Sequence, residues 1–182
     1  QGRCGAPRQG PAVIAMPRGR VSLTTAEHTR DFGRALATVL RAGDLVILTG
    51  GLGAGKTTLT QGLGEGLGVR GPVTSPTFVI ARVHPSLRQG PDLVHVDAYR
   101  LGSMAELDDL DLDTEIAESV TVVEWGEGMA EELLDSHLSI TVHADPATES
   151  RRLTLRAIGP RWAGPATRAV LATLLDDDGE GS

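Results

Sequence analysis

Apolar residues along the chain fall into short runs that alternate with amphipathic stretches, separated by glycine and proline. Leu45–Thr49 is apolar at every position but the last, the pattern of a strand buried on both faces of a parallel sheet. Before it, Thr24 and Glu27 stand at capping-box spacing, and Phe32, Leu36, Val39 and Leu40 recur at helical intervals. The pattern therefore predicts a helix stopped by Gly43. After the strand comes a glycine-rich loop, then a helix over Lys56–Leu67, closed by Gly68 and weakened by Gly62, Gly64 and Gly66.

Three more apolar strands are predicted at 78–83, 93–96 and 120–123. Between the last two, 104–117 reads as an acidic helix, with Leu107, Leu110, Leu112 and Ile116 toward the core and its carboxylates toward water. A short helix follows at 129–134. Residues 138–142 and 153–157 alternate like an antiparallel pair, and a last helix spans 168–175. Strands alternating with helices predict a three-layer α/β sandwich around a mixed, mainly parallel sheet, with the antiparallel pair at its C-terminal end. Residues 1–20 carry Gly, Pro and Arg with little periodicity and read as a disordered leader, in which Met16 offers an alternative start. That leaves one domain over 21–175 and an acidic tail over 176–182.

Composition narrows the setting. The 182 residues are 40% hydrophobic and 23% charged, the balance of a soluble globular domain. No apolar run approaches the roughly 20 residues of a membrane span, and 12–16 is too short for the apolar core of a signal peptide. With a net charge of -7, the surface repels nucleic-acid phosphates, which disfavours tight direct binding to DNA or RNA. The only cysteine, Cys4, excludes an internal disulfide and suits a reducing cytoplasm. Asparagine is absent, and one lysine stands against 16 arginines, as codon bias from a G+C-rich genome would produce.

That one lysine is Lys56, within Gly-Gly-Leu-Gly-Ala-Gly-Lys-Thr at 50–57. At this composition the pattern GxxxxGK[ST] arises by chance about two times in a thousand. Strand, glycine turn and helix start occur together, as a phosphate-binding P-loop requires, which makes the predicted sandwich a P-loop NTPase. Gly51, Gly53, Ala54, Gly55, Lys56, Thr57 and Thr58 are the candidate nucleotide-binding residues. Glycines let backbone N–H groups approach phosphate oxygens, the helix N-terminus adds partial positive charge, Lys56 would reach the β- and γ-phosphates, and the Thr57 hydroxyl would ligate Mg²⁺. The metal also needs a carboxylate from a neighbouring strand end, and Asp97 and Glu124 both stand at one, one of them able to act through water. The plainer alternative is a pair of acids capping strand ends. The turn over 74–77 presents hydroxyls, Ser75 and Thr77 among them, either as a nucleotide-sensing switch or as a strand lead-in.

Phe78 and Trp125 flank candidate site residues, but core packing is the default for both. His95 points away from its apolar neighbours Val94 and Val96 and reads as a satisfied structural histidine. Arg100 would pair with phosphate or with a core carboxylate. A guanine-reading NKxD box cannot exist without asparagine, which favours ATP over GTP. Arg82, Arg88, Arg151 and Arg152 keep a small-molecule kinase open as an alternative, with Asp97 as its general base.

Taken in order, GGLGAGKTT at 50–58, VTSPTF at 73–78, HVDAYRL at 95–101 and VVEWGE at 122–127 resemble the TsaE (YjeE) family of bacterial ATPases, over about residues 22–162. That family is needed to make threonylcarbamoyladenosine (t6A) in tRNA. The resemblance implies that Lys56 and its loop bind ATP, that Thr57 and Glu124 hold Mg²⁺, and that Asp97 assists hydrolysis. It also implies a switch I-like role for 75–78 and a place near the nucleotide base for Thr29. Members work with TsaD and TsaB, ATP hydrolysis driving the cycle of that complex while the tRNA contacts the partners. Two positions depart from the family: Gly51, where many members carry Asp, and Asp111, where many carry Gly.

Overall fold

The computed structural model describes residues 16–76, 81–101 and 113–176. Seven strands form one sheet in the order β1-β7-β6-β2-β5-β4-β3: β1 Arg18–Leu23, β2 Leu45–Thr49, β3 Ala81–His84, β4 Asp92–Asp97, β5 Ser119–Glu124, β6 His137–Ala144 and β7 Arg151–Ile158. The four central strands, β6, β2, β5 and β4, run parallel. The flanking pairings are antiparallel: β6 with β7 and β7 with β1 on one side, β4 with β3 on the other. The helices are α1 Ala26–Ala37, α2 Lys56–Leu67, α3 Asp113–Glu118 and α4 Pro165–Leu174.

The period of two in the strands splits the core between the sheet's two faces. Val46, Leu48, Leu93, Val120 and Val122 pack with Phe32, Leu36, Leu59, Leu63 and Leu171 from α1, α2 and α4. Leu45, Ile47, Val94, Val96 and Val123 pack on the opposite face with Ile116 of α3 and with Ala130. The expected three-layer arrangement is therefore present.

The glycines that weaken α2 as an isolated helix are what let it pack. A Cβ at Gly66 would lie 2.6 Å from Ala37 Cβ, one at Gly62 would strike the Arg30 backbone, and one at Gly33 of α1 would lie 2.6 Å from Leu59 O. The two helices meet almost backbone to backbone, and side chains would hold them apart. Gly55 and Gly68, at φ 108° and 72°, bound α2 at its two ends.

Several expected boundaries shift. Residues 18–20, assigned to the leader, form the start of β1, and Asp176, assigned to the tail, donates its N–H to Arg20 O at 2.7 Å. An edge strand of sequence Arg-Gly-Arg-Val-Ser-Leu carries too little apolar alternation to announce itself; pairing with β7 supplies what the local pattern lacks. The cap of α1 is Thr25, whose hydroxyl accepts from His28 N at 3.1 Å, rather than Thr24, which bonds the His28 ring at 2.8 Å. Glu27 is engaged instead by Arg34 at 2.9 Å. A single 3₁₀ turn, Ala130–Glu132, replaces the helix expected over 129–134, and the last helix begins at Pro165. Of the acidic helix, only α3 falls within the described residues.

Candidate functional site

The loop following β2 folds over the start of α2. Gly53 and Gly55 adopt positive φ of 73° and 108°, which glycine takes without strain, and Ala54 N donates to Gly51 O at 3.1 Å to tighten the turn. Gly51 and Gly53 face open space. A cleft of about 480 Å³ opens there, lined by the loop from Leu52 to Thr58 and by Ser75, Asp97, Tyr99, Glu124 and Trp125.

Strand register brings the carboxylates to this cleft. Asp97 and Glu124 are paired neighbours at the ends of parallel β4 and β5, on the sheet face that carries α2. The hydroxyl of Thr57 donates to Glu124 Oε1 at 3.4 Å. Asp97 Oδ1 accepts from Tyr99 N at 3.0 Å, capping the 3₁₀ turn Ala98–Arg100. The strand-capping alternative thus describes one oxygen of Asp97 while the residue still lines the cleft.

Lys56 is buried, and its Nζ donates to Gly50 O at 2.8 Å and Gly51 O at 2.9 Å. The same ammonium lies 4.1 Å from the centroid of the Trp125 ring, within cation–π range. Burial lowers the Lys56 pKa below that of free lysine, while the charges of Glu124 and Asp97 pull it back up. Trp125 is the only non-glycine residue with positive φ among those described, at 60°. Its backbone N–H donates to Leu48 O at 3.1 Å, which ties the turn after β5 to β2. Tyr99 packs on its ring, centroids 5.1 Å apart at 58°, with most of its own surface exposed. The structure thus corrects the core-packing expectation for Trp125, which lies outside both apolar cores and walls the cleft. The strand's polar end and the tight turn after it aim the ring at Lys56.

The other candidates divide. Thr58 and Ser75 line the cleft. Thr29 is buried in α1, where its hydroxyl donates to Thr25 O at 3.3 Å, and it does not line the cleft. Thr77 and Phe78 lie outside the described residues, as does Asp111. Thr74 accepts from Arg82 at 2.9 Å. Sequence reasoning missed the place of two residues. Arg151 runs beside the loop, its Nε 3.3 Å from where a Gly55 Cβ would stand. His95 is fully buried, and its Nε2 lies 2.8 Å from Glu124 Oε1, inside the site rather than apart from it. Its position two residues before Asp97, on the same strand face, was the available signal.

Among the described residues, no cluster of three or more His, Cys, Asp or Glu side chains could cage a metal. A hydroxyl and one or two carboxylates are instead a hard-oxygen set that fits Mg²⁺, which keeps waters and takes its remaining ligands from phosphate.

Sheet order, glycine loop and cleft together define a protein of the P-loop NTPase class. A model of the TsaE family, described as "Threonylcarbamoyl adenosine biosynthesis protein TsaE", matches residues 23–153, and the chain belongs to that family. It is 64% identical over 147 residues to the "tRNA threonylcarbamoyladenosine biosynthesis protein TsaE" of Streptomyces coelicolor, covering 79% of this chain and 99% of that protein. The Mycobacterium tuberculosis protein of the same name is 46% identical over 143 residues, covering 75% and 85%. A crystal structure of Bacillus subtilis YdiB superposes with a TM-score of 0.66 at 28% identity, covering 87% of this chain and 95% of that one. No helix among the described residues is long and apolar enough to cross a membrane.

Proposed function

We propose that this chain is the cytoplasmic, Mg²⁺-dependent ATPase subunit of the machinery that places t6A at position 37 of tRNA, acting with TsaD and TsaB. One observation carries the reading: Lys56 and Thr57 of the loop meet Asp97 and Glu124 of two adjacent strands in a single cleft. Relatives named for threonylcarbamoyladenosine biosynthesis supply the pathway. Backbone N–H groups of the loop and the N-terminus of α2 bind the phosphates. Lys56 exchanges its bonds to the Gly50 and Gly51 carbonyls for phosphate oxygens. Thr57 and Glu124 hold Mg²⁺, which supplies neutralising charge to the phosphates. Asp97, one oxygen held by Tyr99 N, orients the attacking water with the other. The net charge of -7 leaves tRNA to the partner proteins.

Phosphate release from ATP, measured with and without the purified TsaD–TsaB pair and with Lys56→Ala as the blank, tests this. Stimulation by the pair, lost in Lys56→Ala, is expected. ATP binding with no response to the pair, and transfer of the γ-phosphate to a small hydroxyl compound instead of water, would establish a kinase.

A further inference from the structure

We propose that His95 is a positioning residue for the metal: its Nε2–H holds Glu124 in the orientation that meets the ion beside Thr57. The proposal rests on the nucleotide-and-metal reading above and deepens it. In the β4–β5 register His95 pairs with Val122, one step behind the Asp97–Glu124 pair on the same face, so the ring lies directly under the carboxylate. The ring is fully buried and its Nε2 stands 2.8 Å from Glu124 Oε1. A carboxylate has no proton to offer, so Nε2 is the donor and carries the hydrogen. Among the described residues, Nδ1 has no hydrogen-bond partner. The imidazole's one hydrogen bond among them therefore serves Glu124.

Without that bond, Oε1 keeps only the long 3.4 Å contact from Thr57, while the charge of Lys56 acts on Glu124 in the same cleft. The carboxylate is then free to rotate away from the orientation that meets the ion, which removes a metal ligand while Lys56 keeps its bonds to the loop carbonyls. His95 prevents this by fixing Oε1 from below, as hydrogen-bonded outer partners fix ligating carboxylates in metal sites generally.

The test uses Mn²⁺ as the probe, titrated by electron paramagnetic resonance into the full chain saturated with ADP, alongside ADP affinity measured in EDTA. His95→Leu should weaken Mn²⁺ binding about 10- to 100-fold and leave ADP affinity in EDTA within about twofold. His95→Gln, whose amide nitrogen falls near the place of Nε2, should restore most of the Mn²⁺ affinity. His95→Asn, whose amide falls near Nδ1, should not. Unchanged Mn²⁺ affinity in His95→Leu, or an equal loss of ADP affinity in EDTA, would overturn the proposal. If the leucine variant does not fold, the Gln–Asn comparison decides, and equal Mn²⁺ affinities overturn it. A wild-type chain that binds no ADP removes the nucleotide reading itself, whereas wild-type binding with Mn²⁺ affinity indifferent to His95 removes this inference alone.

Discussion

Replacing Glu124 by alanine should separate metal binding from nucleotide binding by the sign of its effect. The carboxylate is buried, accepts from His95 at 2.8 Å and from Thr57 at 3.4 Å, and acts electrostatically on Lys56. In EDTA, its charge opposes the phosphates across the same cleft. Two unit charges about 4 Å apart in a water-like medium repel by about 1 kcal/mol, so its removal should tighten Mg²⁺-free ADP binding, up to about fivefold. With Mg²⁺ present the order reverses: loss of a ligand should weaken ADP binding by at least about tenfold. The same substitution leaves both nitrogens of the buried His95 ring without partners, a cost of about 1–3 kcal/mol. For a chain of this size that lowers Tm by about 2–12 °C. Calorimetric titration of ADP with Mg²⁺ and with EDTA, beside a thermal melt, reads all three effects. An equal loss of affinity under both conditions would refute the assignment of Glu124 to the metal.

Three further outcomes are expected. Gly62→Ala should cost about 1–3 kcal/mol in urea unfolding, because the new methyl strikes the Arg30 backbone and pushes α1 from α2. Arg161→Leu should cost about 3–5 kcal/mol: the guanidinium donates twice to the buried Asp44 at 2.8 Å and once to Val39 O, so its loss leaves the buried Asp44 with only the Arg41 N–H as donor and no ion-pair partner among the described residues. ADP binding per folded molecule should be unchanged there, since neither residue lines the cleft. Lys56 gives a pH dependence with two signs. Its lowered pKa means that ADP affinity should begin to fall, with rising pH, below the 10.5 of free lysine. The ligand-free fold should gain stability over the same window, because the native state sheds a buried charge that the unfolded chain retains. Affinity and melting temperature followed across the alkaline range check both, and parallel declines would contradict the burial argument.

Much of the fold was legible in the sequence because its signals are local. Leu45–Thr49 reads as a doubly buried strand from five adjacent residues, and Lys56–Leu67 begins and ends between Gly55 and Gly68 as its glycines indicate. The glycine loop is legible for the same reason: close approach of backbone N–H groups to a phosphate would demand those residues at that spacing. What failed locally depended on distant partners. β1 exists because β7 offers an edge to it, and its own residues carry almost no pattern. Thr25 rather than Thr24 caps α1, because its hydroxyl is the one that meets the His28 N–H while that of Thr24 turns to the His28 ring.

The site divides the same way. Residue type and order named Lys56, Thr57, Asp97 and Glu124 as the chemistry-bearing side chains, since a P-loop needs a cation, a hydroxyl and a strand-end acid. Their mutual geometry came from the parallel register of β4 and β5, which pairs Asp97 with Glu124 and slides His95 beneath the carboxylate. The role of Trp125 likewise depends on a positive-φ turn that places its ring against an ammonium 69 residues earlier in the chain. Sequence alone named the side chains of the candidate site, because residue type and spacing follow from local chemistry. Only the tertiary structure decided which groups touch, because strand register and close helix packing are set by contacts between residues far apart in the chain.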